Sequence, residues 1–274
     1  MRKALCLLML LAACTRSQPE QRAVVLATTT SFQDSGLLDE LVTRFRAAGG
    51  PPIKAIAVGT GEALAMGERG DADVLVVHAP EAEEAFVKAG HGVNRRALWH
   101  NDFLLVGPPS DPAGLRDLKT AAEALGKLAG AKAGFASRGD DSGTHKKEKA
   151  LLKLAEIDPW EGYLSVGQGM GETLRIASEK ALYTLTDRGT WLTLRSTLAL
   201  EPLVQGDPPL DNPYHVIEVN PARHAQANQA GARRFADFLV SPEIQSFVAR
   251  FGEETLGQPL FIPDAAGGTG VAGR

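Results

Sequence analysis

Ala23–Phe45 reads AVVLATTTSFQDSGLLDELVTRF, and the fold is read outward from this stretch. Ala23–Ala27 is a short apolar run, the signature of a strand buried on both faces. Leu37, Leu38, Leu41, Val42 and Phe45 then recur at helical spacing. Between them stand four hydroxyl residues in a row, Thr28-Thr29-Thr30-Ser31. The same alternation repeats twice. Ile53–Val58 is predicted as a strand followed by a helix from Glu62, and Val74–Val77 as a strand followed by a helix over Glu81–Ala89. Three strand–helix units in series imply a parallel sheet with helices on both faces.

The pattern changes near Asn101. A strand over Phe103–Val106 runs into Gly107-Pro108-Pro109, a break in the chain's regular structure. A second α/β unit follows. Helices are predicted over Ala121–Leu128, Ser142–Ala155, Thr173–Lys180 and near Trp191, with strands over Ala133–Ala136 and Ala181–Leu185. Val216–Val219 reads as a strand between Pro213 and Pro221. Helices over Ala225–Val240 and Pro242–Phe251 complete the chain, the latter opened by Pro242 after Ser241. Two α/β units with a strand at each junction predict two lobes on a two-stranded hinge. Lobe 1 would take residues 23–106 and 216–264, with lobe 2, residues 107–215, inserted between them. Ligands of such sheets sit beyond the carboxyl ends of the strands, which here means the cleft between lobes.

The N-terminal end carries a different signal. Arg2 and Lys3 precede an apolar run over Ala4–Ala13 that is too short to span a bilayer and has the layout of a signal peptide. It ends in Leu11-Ala12-Ala13-Cys14, similar to the lipobox of bacterial lipoproteins, in which the cysteine is lipidated and becomes the first mature residue. Residues 1–13 are therefore expected to be cleaved, Cys14 to be the membrane anchor and residues 14–22 to be a polar tether. The glycine-rich tail, residues 265–274, is expected to be disordered. The only cysteines are Cys6 and Cys14, so the body has no thiol for a disulfide, a nucleophile or a metal site.

The whole chain has a formal charge of −4, and loss of residues 1–13 would leave 27 basic against 33 acidic residues, or −6. No global basic field exists to recruit nucleic acid. Any positive potential has to be local, and three loops could supply it. They are Thr28–Ser31, then Gly59-Thr60-Gly61, and third Ser137-Arg138-Gly139-Asp140-Asp141-Ser142-Gly143-Thr144. Each follows a strand and opens a helix. A helix N-terminus offers unpaired N–H donors and a partial positive charge. Hydroxyls add neutral donors, and an arginine adds a fixed planar fork. Many short donors around one point suit a small tetrahedral oxyanion. Taken singly, each loop has a plain alternative. Thr28–Ser31 fits helix capping, Gly59–Gly61 lacks the Gly-Lys-Ser/Thr of a phosphate loop, and Arg138 could simply pair with Asp140 or Asp141.

These loops carry a resemblance. Thr28–Ser31 with Asp34–Leu38, Val58–Leu64, Gly70–Val74, Val77–Pro80, Asn101–Phe103, Ser137–Lys147, Gly167–Gly171 and Tyr183–Thr190 together resemble the tungstate-binding periplasmic proteins of the TupA type. The likeness covers nearly the whole mature chain. It departs at Trp99-His100, where the family pattern has Met-Tyr, at the expected hinge. The resemblance implies a type II periplasmic-binding-protein fold and an extracytoplasmic, monomeric protein that delivers its anion to an ABC permease. It implies no enzyme activity, no cofactor and no bound metal ion other than tungsten within its oxyanion. Thr29, Thr30, Ser31, Gly59, Thr60 and Gly61 of the first two loops, with Arg138, Ser142, Gly143 and Thr144 of the third, are the implied ligand residues.

Other readings stand beside it. Molybdate is a dianion of nearly the same size as tungstate. Phosphate carries a proton near neutral pH and would want a carboxylate acceptor, for which Asp140 or Asp141 is close in sequence, although both are read as turn and cap residues. A hydrolase built on Ser142, His145 and Asp187 lacks the Gly-x-Ser-x-Gly elbow. An anion-sensing lipoprotein would share the fold. His78, His91, His100, His215 and His224 show no metal-ligand spacing and are read as packing or surface residues. Trp160 and Tyr163 are read as packing a turn, and Gly167–Gly171 with Met170 as either cleft or hinge. Replacing Cys14 with Ala is expected to abolish incorporation of a fatty-acid label into the protein, and a labelled variant would refute the anchor.

Overall fold

The computed structural model describes residues 22–265. The expected signal peptide, Cys14, the expected tether before Arg22 and the tail after Ala265 lie outside the described residues. The strands are β1 (Val24–Thr29), β2 (Ile53–Val58), β3 (Val74–Val77), β4 (Gly92–Gly107), β5 (Phe135–Ser137), β6 (Tyr163–Ser165), β7 (Tyr183–Asp187), β8 (Glu201–Val204), β9 (Asp211–Val219) and β10 (Ile262–Pro263). The helices are α1 (Thr30–Asp34), α2 (Leu37–Ala47), α3 (Thr60–Arg69), α4 (Pro80–Lys88), α5 (Ala121–Gly130), α6 (Gly143–Leu154), α7 (Met170–Glu179), α8 (Arg188–Leu194), α9 (Gln229–Leu239), α10 (Pro242–Val248) and α11 (Glu253–Leu256).

The strands pair in the order β2-β1-β3-β9-β4-β7-β5-β6, with β8 and β10 also on β4. β1, β2 and β3 are parallel, and so are β5, β6 and β7. The sheet as a whole is mixed, because β4 and β9 run antiparallel to their neighbours. β4 pairs with β9 from Gly92 to Asp102 and with β7 from Phe103 to Val106. Its change of partner thus falls ahead of the division expected at 106/107, and β9 begins ahead of 216. The chain has no glycine or proline where β4 changes partner, and the Gly-Pro-Pro break stands only at the strand's end.

The long first part of β4 escaped the periodicity. Register shifts between Val93 and Arg96 and between Ala97 and Trp99 break the alternation of faces. Trp99, at an expected departure from the family pattern, is fully buried in β4. Other boundaries moved for local reasons. α7 begins at Met170 because Gly169 caps it, and Ala181, at φ 52°, ends that segment so that β7 starts at Tyr183. α9 begins at Gln229 because the Asn228 side chain accepts the Gly231 N–H. Trp160 packs as expected, its Nε1 donating to Ala133 O at 2.7 Å, but Tyr163 opens the edge strand β6.

Helices cover both faces of each half. In the first, Leu37, Leu38, Leu41 and Phe45 of α2 meet α9 and α10 over one face, while Ala63 and Leu64 of α3 and Phe86 of α4 fill the other. In the second, alternate residues of β4 serve the two faces. Phe103 and Leu105 pack with α5 and α6, whereas Leu104 and Val106 pack with Leu174 and Ala177 of α7. Phe45 lies 5.0 Å from Phe235 and 5.1 Å from Phe238, ring centre to ring centre, and is 1% exposed. Phe45→Ala is expected to lower the unfolding free energy by about 3–5 kcal/mol in a denaturant titration.

Candidate anion-binding site

β1 delivers its last two hydroxyls to opposite places, as alternation demands. Thr28 is buried and its Oγ1 donates to Val76 O at 2.7 Å, so it ties the sheet together. Thr29 faces the cleft as the N-cap of α1, its Oγ1 accepting the Phe32 N–H. Gly59 caps α3 without a side-chain bond. Ser142 caps α6, its Oγ accepting the His145 N–H. These three helix starts meet around one cavity of about 170 Å³. That is smaller than the roughly 300–1,000 Å³ of clefts for drug-sized ligands, and suits a small ion.

Thr29, Thr30, Ser31, Gly59, Thr60, Arg138, Ser142, Gly143 and Thr144 all line this cavity. Gly61 does not line it. Gly61 is exposed one residue further along α3, where an added Cβ would lie 3.8 Å from Lys146 Nζ of α6. Two more helix starts join the cavity. Gly169 and Met170 bring in α7, and Asp187 is the N-cap of α8. Asp187 is occupied by its own helix, because Oδ1 accepts the Thr190 N–H at 2.8 Å and Oδ2 the Thr190 hydroxyl at 2.7 Å.

Arg138 both pairs with Asp140 and faces the cavity. Its Nη2 donates to Asp140 Oδ2 at 2.5 Å and its Nε to Gln168 O at 2.8 Å. Among the described residues Nη1 has no hydrogen-bond partner. Asp140 Oδ1 also accepts the Ser142 N–H at 3.1 Å. Burial works to raise the Asp140 carboxyl, but the bonds from Ser142 and Arg138 outweigh it and hold the group below its ordinary value. Asp141 turns away to Lys149 Nζ at 3.0 Å. Neither aspartate lines the cavity, in keeping with their reading as turn and cap residues.

Behind the loop, Glu148 of α6 is 2% exposed. It accepts the Ser137 hydroxyl, the Arg138 N–H at 3.0 Å and the Tyr163 hydroxyl at 2.9 Å. Burial raises its carboxyl above the ordinary value in spite of these donors. One side chain thus seats the strand end, the loop and β6 together.

Six cavity residues were not anticipated: Asp34, Val58, His78, Phe103, Thr190 and Asn212. His78 stands immediately after β3, at the same strand-end position as Thr29 and Gly59, and that position was the signal that could have found it. Its Nδ1 is 2.8 Å from Asn212 Oδ1, and its Nε2 is 3.1 Å from Thr29 Oγ1 and 3.2 Å from Ser31 Oγ. The ring stacks on Tyr214 at 4.6 Å, and desolvation lowers its pKa, which favours the neutral ring. Asn212 comes from β9 and carried no local signal. Asp34, Val58, Phe103 and Thr190 complete the wall. Burial first, and the nearby Asp187 second, raise the Asp34 carboxyl.

Ser142, His145 and Asp187 form no relay. His145 Nδ1 accepts the Asp141 N–H at 2.9 Å, Ser142 Oγ serves as a cap, and Asp187 is held by Thr190. Among the described residues, no three His, Cys, Asp or Glu side chains gather as a metal site.

The family model of the PBP superfamily domain matches residues 16–243. The chain is 48% identical over 248 residues to the tungstate-binding protein TupA of Peptoclostridium acidaminophilum, covering 89% of this chain and 86% of that one. This chain belongs to the PBP superfamily, among its TupA-type members. The fold of a TupA-type protein is also the fold of its solved relatives. The tungstate-binding protein TupA from Desulfovibrio alaskensis G20 aligns with TM-score 0.83 at 44% identity, over 89% of this chain and 100% of that one. A structure described as the tungstate ABC transporter from Geobacter sulfurreducens aligns with TM-score 0.75 at 45% identity, over 84% and 98%. The likeness agrees with the two-lobe periplasmic-binding architecture read from the sequence.

Glu148→Ala would leave three donors without their acceptor, at about 1–3 kcal/mol for each that stays buried. The expected result is a lower denaturation midpoint together with faster amide hydrogen exchange at Arg138. Unchanged exchange there would show that the loop is held by other contacts.

Proposed function

We propose that this chain is an extracytoplasmic solute-binding protein that captures tungstate in the cleft and delivers it to an ABC importer. The observation that carries the reading is the small cavity on which the starts of α1, α3, α6 and α7 converge. Hydroxyls of Thr29, Thr30, Ser31, Thr60, Ser142 and Thr144, the Gly59 and Gly143 backbone and the Arg138 fork surround it. A fully ionised oxyanion only accepts hydrogen bonds, and this wall is rich in donors. The named function of the relatives supports tungstate within that class. Arg138 is the fixed charge of the site, and Asp140 holds its guanidinium in place.

The lobes would close on the anion by bending where β4 passes from β9 to β7, at Asp102–Phe103. Lipidation at Cys14 would keep the monomeric body near its permease.

Phosphate remains a second reading because of Asp34, the one carboxylate in the cavity without a hydrogen-bond partner among the described residues. A protonated phosphate oxygen could donate to it.

Calorimetric titration of the soluble body with tungstate, molybdate, sulfate and phosphate separates these readings. Tight tungstate binding with weak phosphate binding is expected, and tight binding of phosphate alone would overturn the proposal. Arg138→Ala is expected to weaken tungstate binding by about 2–5 kcal/mol, as for a charge partner in a desolvated site.

A further inference from the structure

The hydrogen bonds around His78 determine where two hydroxyl protons point. Asn212 Nδ2 donates to Asn101 Oδ1 at 2.7 Å, so its Oδ1 is the atom that faces His78. Against that acceptor, His78 Nδ1 must carry a hydrogen. In the neutral ring Nε2 is then a bare acceptor. Thr29 Oγ1 and Ser31 Oγ both lie within hydrogen-bond reach of Nε2, and they are 3.2 Å from each other. Thr29 Oγ1 also accepts the Phe32 N–H.

Each hydroxyl has one proton. With a neutral ring, one of the two protons goes to Nε2, and at most one is left for an anion. The hydroxyl that donates to His78 shows the anion only its lone pairs, which repel it. With a protonated ring, Nε2 becomes a donor to these oxygens, and both hydroxyl protons are free to turn into the cavity. The imidazolium also adds a positive charge directly behind the two hydroxyls.

We propose that capture of the oxyanion is coupled to uptake of one proton from solvent by His78, which acts as a positioning residue through Thr29 and Ser31. This rests on the oxyanion reading given above. No bond other than N–H is made, and the anion is bound unprotonated.

The surroundings fit such a switch. Desolvation favours the neutral ring, and Lys147 of α6 acts in the same direction. The hydrogen bond to Asn212 first, then Glu83 of α4 and Asp187 at the start of α8, favour the charged form. Arg138 and Asp34 line the same cavity from the third loop and from α1. Tyr214, stacked on the ring, is pushed further above its ordinary value by burial and stays neutral. A bound dianion beside Thr29 and Ser31 adds a large term in favour of the imidazolium. The sign follows. The bound state has the higher pKa at His78, so affinity rises as pH falls toward the free-state pKa, by up to about tenfold per pH unit for one linked proton.

The test is calorimetry with sodium tungstate between about pH 5.5 and 8.5, around the ordinary histidine range, in buffers of different ionisation enthalpy. Wild type is expected to take up close to one proton per anion within this window, with Kd rising toward alkaline pH. His78→Gln should bind without proton uptake and with a flat pH profile, whereas Asp34→Asn should retain the uptake. Tungstate binding with no proton exchange across the window would overturn the coupling and leave the oxyanion reading intact. Uptake that persists in His78→Gln, or vanishes in Asp34→Asn, would overturn the assignment to His78. Failure of wild type to bind tungstate at all would overturn the tungstate reading on which the coupling rests. If His78→Gln shows no cooperative melting transition, the imidazole ¹⁵N shifts of wild-type His78 decide. A change from the neutral to the imidazolium pattern on adding tungstate is expected, and an unchanged neutral pattern refutes the proposal.

Discussion

One strand, β4, runs through both halves of the molecule, paired with β9 in the first and with β7 in the second, and the cleft depends on it. Its partner β9 stays with the first half, paired with β3 and β4. β4 passes from β9 to β7 at Asp102–Phe103, and Asp102 pairs with Asp211 at the start of β9. Side chains brace this crossing. Arg188 at the start of α8 clamps Asp102 through Nε and Nη2, and Lys147 of α6 donates to Pro209 O and Asp211 O. A small rotation at the crossing would change the distance between the two walls of the cavity, one carrying Thr29, Gly59 and His78, the other Arg138, Ser142 and Met170.

As an anion site, the cavity would solve an electrostatic problem posed by the composition. A chain with more acidic than basic residues has to attract an anion without a basic surface. Backbone amides at helix starts provide donors whose charge is fixed by the fold rather than by titration. One arginine would then be enough, and the partner that restrains it, Asp140, is kept out of the cavity wall. Arginine suits this position better than lysine because its planar fork can hold Asp140 and Gln168 O and still present a third nitrogen.

A polar chain also links β4 and β9 to the loop after β1. It runs from Asn101 of β4 through Asn212 of β9 to His78 and on to Thr29 and Ser31. Each member restricts the next, since an amide, an imidazole and a hydroxyl each have a limited set of donors and acceptors. The placement of Asn101 and Asn212 and the orientation of the Thr29 and Ser31 hydroxyls are therefore not independent.

Much of this was legible in the sequence. The apolar run at Val24–Ala27, the helical spacing of Leu37, Leu41 and Phe45, and the hydroxyl and glycine residues at strand ends are local signals. They depend on neighbours in the chain, and nine of the ten expected ligand residues face one cavity. Gly61 falls away because the side of α3 it occupies is set by helix rotation rather than by the loop's composition. What only the tertiary structure decided were pairings over long separations. The mixed sheet, the partner change inside β4, and the meeting of Asn212 with His78 across 134 positions arise when distant strands pack together. Glu148 is the clearest case. In the sequence it is one charge among the lysines of Lys146–Lys149. In the fold it is buried under Arg138, because the turn of α6 that carries it faces β5 and Tyr163.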